Sequence, residues 1–221
     1  MQKLQGFLFD LDGVLVDTAR YHYQAWSRLA AELGFTFTVH DNERLKGVSR
    51  TASLEILLSI GGIQATAAQK DGYAKKKNDW YVEMISAMKP DEILPGVDAF
   101  LEASRKAGIL TAVGSASKNT PLILERTGLK RFFDAVIDGN STSRAKPDPE
   151  VFLLGAKALH LKDRACVVFE DAEAGIQAAK AAGMGAVGIG SPAVLFQADL
   201  VIRCFAGLGP ETILAQFGLI V

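Results

Sequence analysis

The stretch Gly6-Phe7-Leu8-Phe9-Asp10-Leu11-Asp12-Gly13 decides the fold of this chain, because a short apolar run ends there in two carboxylates and a glycine. A run such as 6–9 is typical of a strand that is buried on both faces of a sheet. The glycine permits a tight turn directly after the strand. We therefore predict a central parallel strand whose carboxyl end presents Asp10 and Asp12 to a ligand.

Further apolar segments of strand length alternate with amphipathic helical segments along the rest of the chain. Such alternation is typical of a parallel sheet with helices packed on both faces. Gly128 and Gly183 follow two of the helices at positions that favour a C-terminal cap. The predicted strands span residues 6–9, 109–114, 133–137, 166–169, 186–189 and 200–202. The sequence therefore predicts an α/β fold with a doubly wound, Rossmann-like parallel sheet.

Residues 18–88 interrupt this alternation, since they contain no convincing strand. Apolar residues recur there at helical spacing, and Thr66 with Gln69 forms the pattern of a capping box. A helical stretch of this length is too long for a simple crossover between neighbouring strands, so we predict an inserted helical cap. The predicted boundaries are 1–16 and 89–221 for the catalytic core, 17–88 for the cap, and 15–18 and 89–95 for the linkers.

The composition excludes several classes of partner. The chain has 221 residues, a mass of 23.7 kDa and a formal net charge of -1. It therefore offers no basic surface, and we expect neither nucleic acid nor an anionic membrane as a partner. The amino terminus lacks a signal-peptide pattern, and no run of about 18 apolar residues suggests a membrane span. Cys166 and Cys204 suffice for neither a disulfide framework nor a zinc site, so we expect the reducing cytoplasm. We also expect a monomer, since nothing in the sequence demands more.

Polar residues follow several of the predicted strands, at the edge where an open parallel sheet binds its ligands. They are Asp10, Asp12, Ser115, Lys146, Glu170 and Asp171. The carboxylates of Asp10, Glu170 and Asp171 would repel one another unless a hard cation lay between them. A small set of carboxylates beside a phosphate substrate favours Mg²⁺, which we predict as the cofactor.

These side chains meet the needs of phosphoryl transfer, which are positioning and charge neutralisation. Asp10 is the predicted nucleophile on phosphorus, forming an aspartyl-phosphate. Asp12 is the predicted general acid and base, because it faces the same pocket. Ser115 would donate to the phosphoryl oxygens, and Lys146 would supply a positive charge. Each residue alone fits a cap, a turn or the surface, but their joint occurrence in this order favours catalysis.

The motifs Asp10-Leu11-Asp12-Gly13, Ser115, Lys146-Pro147 and Glu170-Asp171 resemble the four signature motifs of the haloacid-dehalogenase superfamily. The resemblance covers essentially the whole chain, including the helical segment after the first motif. It implies a Rossmann-like core with a cap, and chemistry through an aspartyl-phosphate. Most members of that superfamily are phosphatases, so the resemblance says less about the substrate.

Other strings are similar to the β-phosphoglucomutases. They are Asp17-Thr18, Tyr21-His22, Leu45-Lys46-Gly47-Val48-Ser49-Arg50, Lys77-Asn78-Asp79 and Ser115-Ala116-Ser117-Lys118-Asn119. That family interconverts β-glucose 1-phosphate and glucose 6-phosphate through a bisphosphate. The resemblance implies Mg²⁺ ligands at Asp10, the Asp12 carbonyl, Glu170 and Asp171. It implies substrate-binding roles for Thr18, His22, Gly47, Val48, Ser49, Arg50, Lys77, Ala116, Ser117, Lys118 and Asn119.

Arg50 has the most specific expected role in this set. A mutase must hold a second phosphate, and a guanidinium suits phosphate because it binds through a fork of donors. By resemblance, Arg50 holds the non-transferring phosphate with Ser117 and Asn119, while His22 and Lys77 serve the sugar pocket or proton transfer. The alternative for Arg50 is a solvated residue at the start of a helix, and for His22 a buried structural histidine.

Three functions remain open from the sequence alone. The first is a β-phosphoglucomutase, in which a sugar hydroxyl accepts the phosphoryl group. The second is a Mg²⁺-dependent sugar-phosphate phosphatase, which would share every core residue but let water attack. The third is a non-catalytic binding module, which is disfavoured because Asp10, Asp12, Lys146 and Asp171 are all present. A small sugar phosphate is the expected partner in the first two.

Overall fold

A computed structural model describes residues 4–45 and 48–217. Within them, six parallel strands form one sheet in the order β3-β2-β1-β4-β5-β6. The strands are β1 (Gly6–Phe9), β2 (Leu110–Gly114), β3 (Ala135–Ile137), β4 (Cys166–Glu170), β5 (Gly185–Ile189) and β6 (Leu200–Ile202). The central β1 pairs with β2 on one side and β4 on the other. The predicted α/β fold with a Rossmann-like sheet is confirmed.

Helices connect and cover these strands. In the described part of the chain they are α1 (Ala19–Glu32), α2 (Val39–Glu43), α3 (Arg50–Gly61), α4 (Ala67–Ser86), α5 (Val97–Lys106), α6 (Thr120–Thr127), α7 (Glu150–Ala158), α8 (Glu173–Ala181) and α9 (Pro210–Gln216). Short 3-10 helices lie at Pro90–Glu92, Leu129–Phe132 and Asp163–Ala165. Among the described helices, none has both the length and the apolar character needed to cross a membrane.

Alternating side chains of β1 enter two different hydrophobic layers, as the two-residue period of a strand requires. Phe7 and Phe9 join an aromatic cluster in which the ring of Phe9 stacks on Phe169 of β4, with centroids 4.7 Å apart. Leu8 lies in the opposite layer, which also contains Phe152 of α7. All four residues of β1 are buried. This packing fixes the position of the residue that follows the strand.

Helices α1, α3 and α4 share a hydrophobic cluster, whose buried members include Trp26 and Leu54. Helix α4 begins at the predicted capping box. The Thr66 hydroxyl accepts a hydrogen bond from the Gln69 amide at 3.3 Å, and the Gln69 side chain accepts one from the Thr66 amide at 2.9 Å. The separate cluster supports the cap boundaries at 17–88, which stay a prediction. The short helix α2 was not predicted.

The two linkers of this helical segment lie side by side. The Leu94 amide of the second linker donates to the Leu15 carbonyl of the first at 3.0 Å. The carboxylate of Glu92 accepts hydrogen bonds from Tyr21 at 2.6 Å and from Arg20 at 2.5 Å, both at the start of α1. The chain therefore enters and leaves the helical segment at one place beside the sheet.

Candidate active site

Asp10 directly follows β1 and lies at the centre of a charged cluster. Its amide donates to the Phe169 carbonyl on β4 at 3.0 Å, which ties the residue to the neighbouring strand. Its carboxylate oxygen Oδ1 lies 2.5 Å from the Lys146 ammonium. The same ammonium lies 2.7 Å from Oε2 of Glu170 at the end of β4. Two strand ends and one loop thus bring three charged groups together, as the sequence predicts.

All three groups are shielded from solvent, because the side chains of Lys146, Asp10 and Glu170 are only 1%, 9% and 1% exposed. Burial disfavours the ammonium, but the two carboxylates outweigh this effect and raise the pKa of Lys146. Burial and then the charge of Asp10 raise the pKa of Glu170 to about 8. Glu170 therefore holds a proton more readily than an exposed glutamate does.

Asp10, Glu170 and Asp171 form a candidate metal centre. One carboxylate oxygen from each residue lies within 4.8 Å of the other two. Two glycines make room for these side chains: a Cβ atom on Gly13 would lie 2.3 Å from Asp171 Oδ2, and one on Gly175 would lie 2.0 Å from Glu170 Cδ. Oxygen ligands suit a hard divalent cation, and the excess negative charge favours binding one. The residues therefore fit a divalent metal ion.

Asp12 lies in the turn that follows β1. Its carboxylate accepts a hydrogen bond from the Thr18 hydroxyl and lies 4.0 Å from Nε2 of His22. Burial and then the charge of Asp10 raise the pKa of Asp12 to about 6. A carboxyl group with this pKa can both release and accept a proton near neutral pH, as a general acid and base requires.

His22 links Asp12 to Lys77 of α4. The Lys77 nitrogen lies 2.9 Å from His22 Nδ1. Burial, followed by the positive charges of Lys77 and Arg50, holds the pKa of His22 well below its ordinary value. A neutral imidazole that accepts from Lys77 at Nδ1 carries its own proton on Nε2, the atom nearer Asp12. Lys77 and His22 thus form a hydrogen-bonded pair that lies close to the candidate acid and base.

A cavity of about 510 Å³ lies between the sheet edge and the helical segment. From the helical side, the predicted residues that line it are His22, Val48, Ser49, Arg50 and Lys77. From the side of the sheet, they are Asp10, Asp12, Ser115, Ala116, Ser117, Lys118, Asn119, Lys146 and Asp171. The cavity therefore joins the candidate nucleophile to most of the predicted substrate-binding residues.

The loop after β2 carries polar groups along the cavity wall. The Ser117 amide donates to the Ser115 hydroxyl at 3.1 Å, and the Asn119 amide donates to the Ser117 hydroxyl at 3.2 Å. Asn119 is the N-cap residue of α6, but its side chain makes no capping bond. Instead it donates from Nδ2 to Asn78 Oδ1 on α4 at 3.0 Å. Asn78 and Asn119 thus connect the helical segment to the core at the cavity.

Some predicted substrate-binding residues have other roles or positions. Thr18 is fully buried, is not among the described residues that line the cavity, and uses its hydroxyl on Asp12. Its hydroxyl therefore holds the Asp12 carboxylate, and its role in substrate binding stays a prediction. Ser49 lines the cavity and is also the N-cap of α3, which places Arg50 at the first residue of that helix. Gly47 lies outside the described residues.

The residues that line the cavity without having been predicted to do so include Trp26, Asn78 and Arg144. Trp26 fits the hydrophobic pattern of its helix, and that pattern predicts a buried side chain but not a position in the cavity wall. Arg144 lies in an irregular loop without periodicity and pairs with Asp148 at 3.0 Å. The hydrogen bond of Asn78 with Asn119 depends on how the helical segment packs against the core, and no local sequence pattern predicts that packing.

A family model of haloacid dehalogenase-like hydrolases matches residues 4–183. The chain belongs to this family. The match spans the helical segment and every motif that carries the resemblance, so the expected superfamily is confirmed. The residues matched to the haloacid dehalogenase-like hydrolases include Asp10, Lys146, Glu170 and Asp171, which form the charged cluster described above.

Individual relatives show which enzymes within the family the chain is similar to. Beta-phosphoglucomutase of Bacillus subtilis strain 168 is 41% identical over 90% of this chain and 89% of the relative. Fructose-1-phosphate phosphatase of Escherichia coli K12 is 32% identical over 85% of this chain and 97% of the relative. Among solved structures, beta-phosphoglucomutase from Clostridium difficile has a TM-score of 0.93 and 38% identity, over 97% of both chains. This haloacid dehalogenase-like chain therefore shares its whole architecture with that structure.

Proposed function

We propose that the protein is a β-phosphoglucomutase that interconverts β-D-glucose 1-phosphate and D-glucose 6-phosphate. The reaction would pass through an aspartyl-phosphate enzyme and a glucose 1,6-bisphosphate intermediate. One observation carries the proposal: a single cavity holds Asp10 together with Arg50 and the loop 115–119. A mutase needs such a second anion site because its intermediate carries a phosphate at each end. The similarity to the Bacillus and Clostridium enzymes of that name supports the proposal.

Asp10 is the proposed nucleophile. Its carboxylate attacks phosphorus while the bond from phosphorus to the sugar oxygen breaks, giving an aspartyl-phosphate and a sugar hydroxyl. Lys146, 2.5 Å from Asp10 Oδ1, neutralises charge on the phosphoryl oxygens, and the Ser115 hydroxyl donates to them. These fixed groups need no reorganisation when the charge moves from one oxygen to another.

Mg²⁺ is the proposed cofactor. Asp10, Glu170, Asp171 and the backbone carbonyl of Asp12 would hold it, in keeping with its preference for oxygen ligands. When bound, the ion would neutralise charge on the transferring phosphoryl group. The carboxylate oxygens of Asp10, Glu170 and Asp171, which lie within 4.8 Å of one another, support a cation at this position.

Asp12 is the proposed general acid and base. It protonates the sugar oxygen that leaves phosphorus, and in the second half-reaction it accepts the proton of the attacking hydroxyl. The Thr18 hydroxyl holds its carboxylate, and His22 Nε2 lies 4.0 Å away. We assign His22 and Lys77 to keeping that carboxylate directed at the sugar, since their contact ends beside it.

Arg50, Ser117 and Asn119 form the proposed anchor for the phosphate that is not transferred. The guanidinium of Arg50 offers a fork of donors, and the start of α6 adds amides that suit an anion. Val48, Ser49, Ala116 and Lys118 complete the wall. Closure of the helical segment over the sugar would exclude water, so that a sugar hydroxyl accepts the phosphoryl group.

The test incubates the protein with β-glucose 1-phosphate, Mg²⁺ and a catalytic amount of glucose 1,6-bisphosphate. Glucose 6-phosphate in excess over free phosphate is the expected result. Free phosphate without isomerisation would indicate a sugar-phosphate phosphatase, as the name of the 32% identical Escherichia relative suggests. Asp10→Asn should abolish either reaction. Asp199→Asn removes the charge of a surface ion pair with Lys180, its amide oxygen can still accept the Ala186 amide, and it should change neither reaction.

We also propose that the protein acts as a monomer in the cytoplasm. Cys166 and Cys204 are both free thiols, which fits a reducing compartment. Burial raises the pKa of Cys166 to about 12, so this thiol stays protonated and unreactive. Light scattering of the purified protein would give its oligomeric state.

A further inference from the structure

Three consecutive lysines on α4 have different surroundings. Lys75 and Lys76 are exposed and pair with carboxylates, with Asp79 at 2.6 Å and Glu32 at 2.5 Å. Lys77 is only 2% exposed and lines the cavity. A helix separates successive side chains by about 100°, so the third lysine lies on another face. Lys77 therefore presents its amine to the cavity and not to bulk solvent.

Unlike Lys75 and Lys76, Lys77 forms no ion pair with a carboxylate among the described residues. Its polar contact is Nδ1 of His22 at 2.9 Å. The ring centroids of Trp26 and Tyr81 lie 4.5 and 4.7 Å away. Aromatic faces stabilise an ammonium only in part, because they do not replace the hydrogen bonds of water.

The charges around Lys77 favour its neutral form. Burial lowers the pKa of Lys77 to about 7, the charge of Arg50 acts in the same direction, and Asp12 opposes them. His22 is neutral because its own pKa is lowered, and burial raises the pKa of Tyr81, so neither adds a compensating negative charge. A large share of the amine is therefore uncharged near neutral pH, and its lone pair is free to react.

We propose that the Lys77 amine is a covalent binding site for small phosphorylated aldehydes, with which it forms a reversible imine inside the cavity. The nitrogen lone pair attacks the carbonyl carbon, and the π electrons of the carbonyl group move to its oxygen. One proton passes from nitrogen through His22 Nδ1 to that oxygen, giving a carbinolamine. The second nitrogen proton follows as the C–O bond breaks, so that water leaves and a C=N bond remains.

The cavity favours an aldehyde that carries a phosphate over one that does not. Arg50 lines the same wall as Lys77 and contributes to the positive potential around it. The loop 115–119 adds amides and hydroxyl groups that suit an anion. Imine formation needs only this cavity and the amine, so it does not depend on the proposed isomerisation.

The test uses pyridoxal 5′-phosphate as the probe and pyridoxal as the matched aldehyde without phosphate. The full-length protein is incubated with each at pH 7, and the imine is reduced with borohydride. Peptide fragmentation then separates Lys75, Lys76 and Lys77. We expect saturable labelling of Lys77 by pyridoxal 5′-phosphate, at least about tenfold above the other two, because an exposed lysine is almost wholly protonated at pH 7.

Variants give the matched controls. Lys77→Arg keeps a positive charge but removes the nucleophile, so it should lose this labelling, whereas Lys75→Arg and Lys76→Arg should keep it. The comparison of the three lysines in the native protein decides the question even if Lys77→Arg does not fold. Equal labelling of all three, or equal labelling of Lys77 by pyridoxal, would overturn the proposal. Neither result bears on the isomerase assay, which tests the proposed function separately.

Discussion

Lys146 is the residue on which the charged cluster depends. Its ammonium lies 2.5 Å from Asp10 and 2.7 Å from Glu170, and all three side chains are buried. The ion pair of Lys180 with Asp199 is a contrasting case, because those side chains are 43% and 35% exposed. Loss of a charge from a buried pair leaves its partner without either water or a counter-ion, whereas water replaces a lost surface partner.

Lys146→Met keeps the length of the side chain and removes its charge. We expect the free energy of unfolding, measured by urea denaturation in EDTA, to fall by about 3 kcal/mol or more. Lys180→Met is the matched control, and its effect should stay within about 1 kcal/mol because exposed pairs contribute little. Equal losses in the two variants would contradict a dominant role of Lys146 in the buried cluster.

Lys77 makes stability depend on pH in a defined direction. Its pKa is lowered to about 7 in the folded protein, against about 10.4 in an unfolded chain. Between these values the unfolded state binds more protons, so the free energy of unfolding rises with pH. From pH 7 to pH 9 this lysine should contribute a gain of about 2 kcal/mol that Lys77→Met lacks. Urea denaturation at both pH values would refute the prediction if the two proteins responded alike.

Residues at strand ends could be predicted because their positions follow from the strands themselves. Asp10 and Glu170 each end a buried apolar run, and the parallel sheet brings the two ends together. The roles of Thr18 and Asn78 could not be predicted in this way. Thr18 precedes α1 and reaches Asp12 through the turn after β1, and Asn78 on α4 reaches a residue distant in the sequence, so each depends on the folded chain.

The start of α4 gives a prediction at the level of one element. Thr66→Ala removes the hydroxyl that accepts from the Gln69 amide, which leaves a helix amide without its partner. We expect the free energy of unfolding to fall by about 1 kcal/mol, as measured by thermal or urea denaturation. Thr66→Ser retains the hydroxyl and should lose much less. A similar loss in both variants would point to packing rather than capping.

Elements with strong local signals were predicted well, and β1 and β6 have the predicted bounds. Strand β3 begins at Ala135 and not at 133, because the carboxylate of Asp134 accepts the Thr111 amide at 2.8 Å in place of a backbone carbonyl. Helix α2 spans only Val39–Glu43, which is too short for a periodic pattern to register. Sequence patterns therefore do not reveal a side chain that replaces a backbone carbonyl as hydrogen-bond acceptor, or a helix of about one turn.

At the scale of the whole molecule, Asn78 and Asn119 connect the helical segment to the core through a hydrogen bond of 3.0 Å. Asn78→Ala removes the acceptor, and we expect the ratio of phosphate release to isomerisation to rise about fivefold, the equivalent of one hydrogen bond that favours closure. The assay measures both products from β-glucose 1-phosphate. Lys70→Ala is the control on the same helix, since Lys70 pairs with Glu55 of α3 and not with the core. An unchanged ratio in Asn78→Ala would contradict the prediction.

The order of layers and the existence of an inserted helical segment could be inferred from the sequence, because each follows from element type and length. The way in which that segment meets the sheet could not. Its contact with the core depends on pairs such as Asn78 and Asn119, which lie on different elements and show no shared periodicity. The shape of the cavity is therefore a property of the folded molecule.

The adjacency of Leu15 and Leu94, joined by a hydrogen bond of 3.0 Å, also bears on how such a protein can evolve. Insertions with neighbouring ends are tolerated because they leave the order of the host's strands untouched. We therefore predict that the stretch between these two leucines is an exchangeable module, which recombination or a protein engineer could replace in one piece. The substrate contacts of the helical segment would then change independently of the phosphate chemistry and of the loop 115–119, which stay with the sheet.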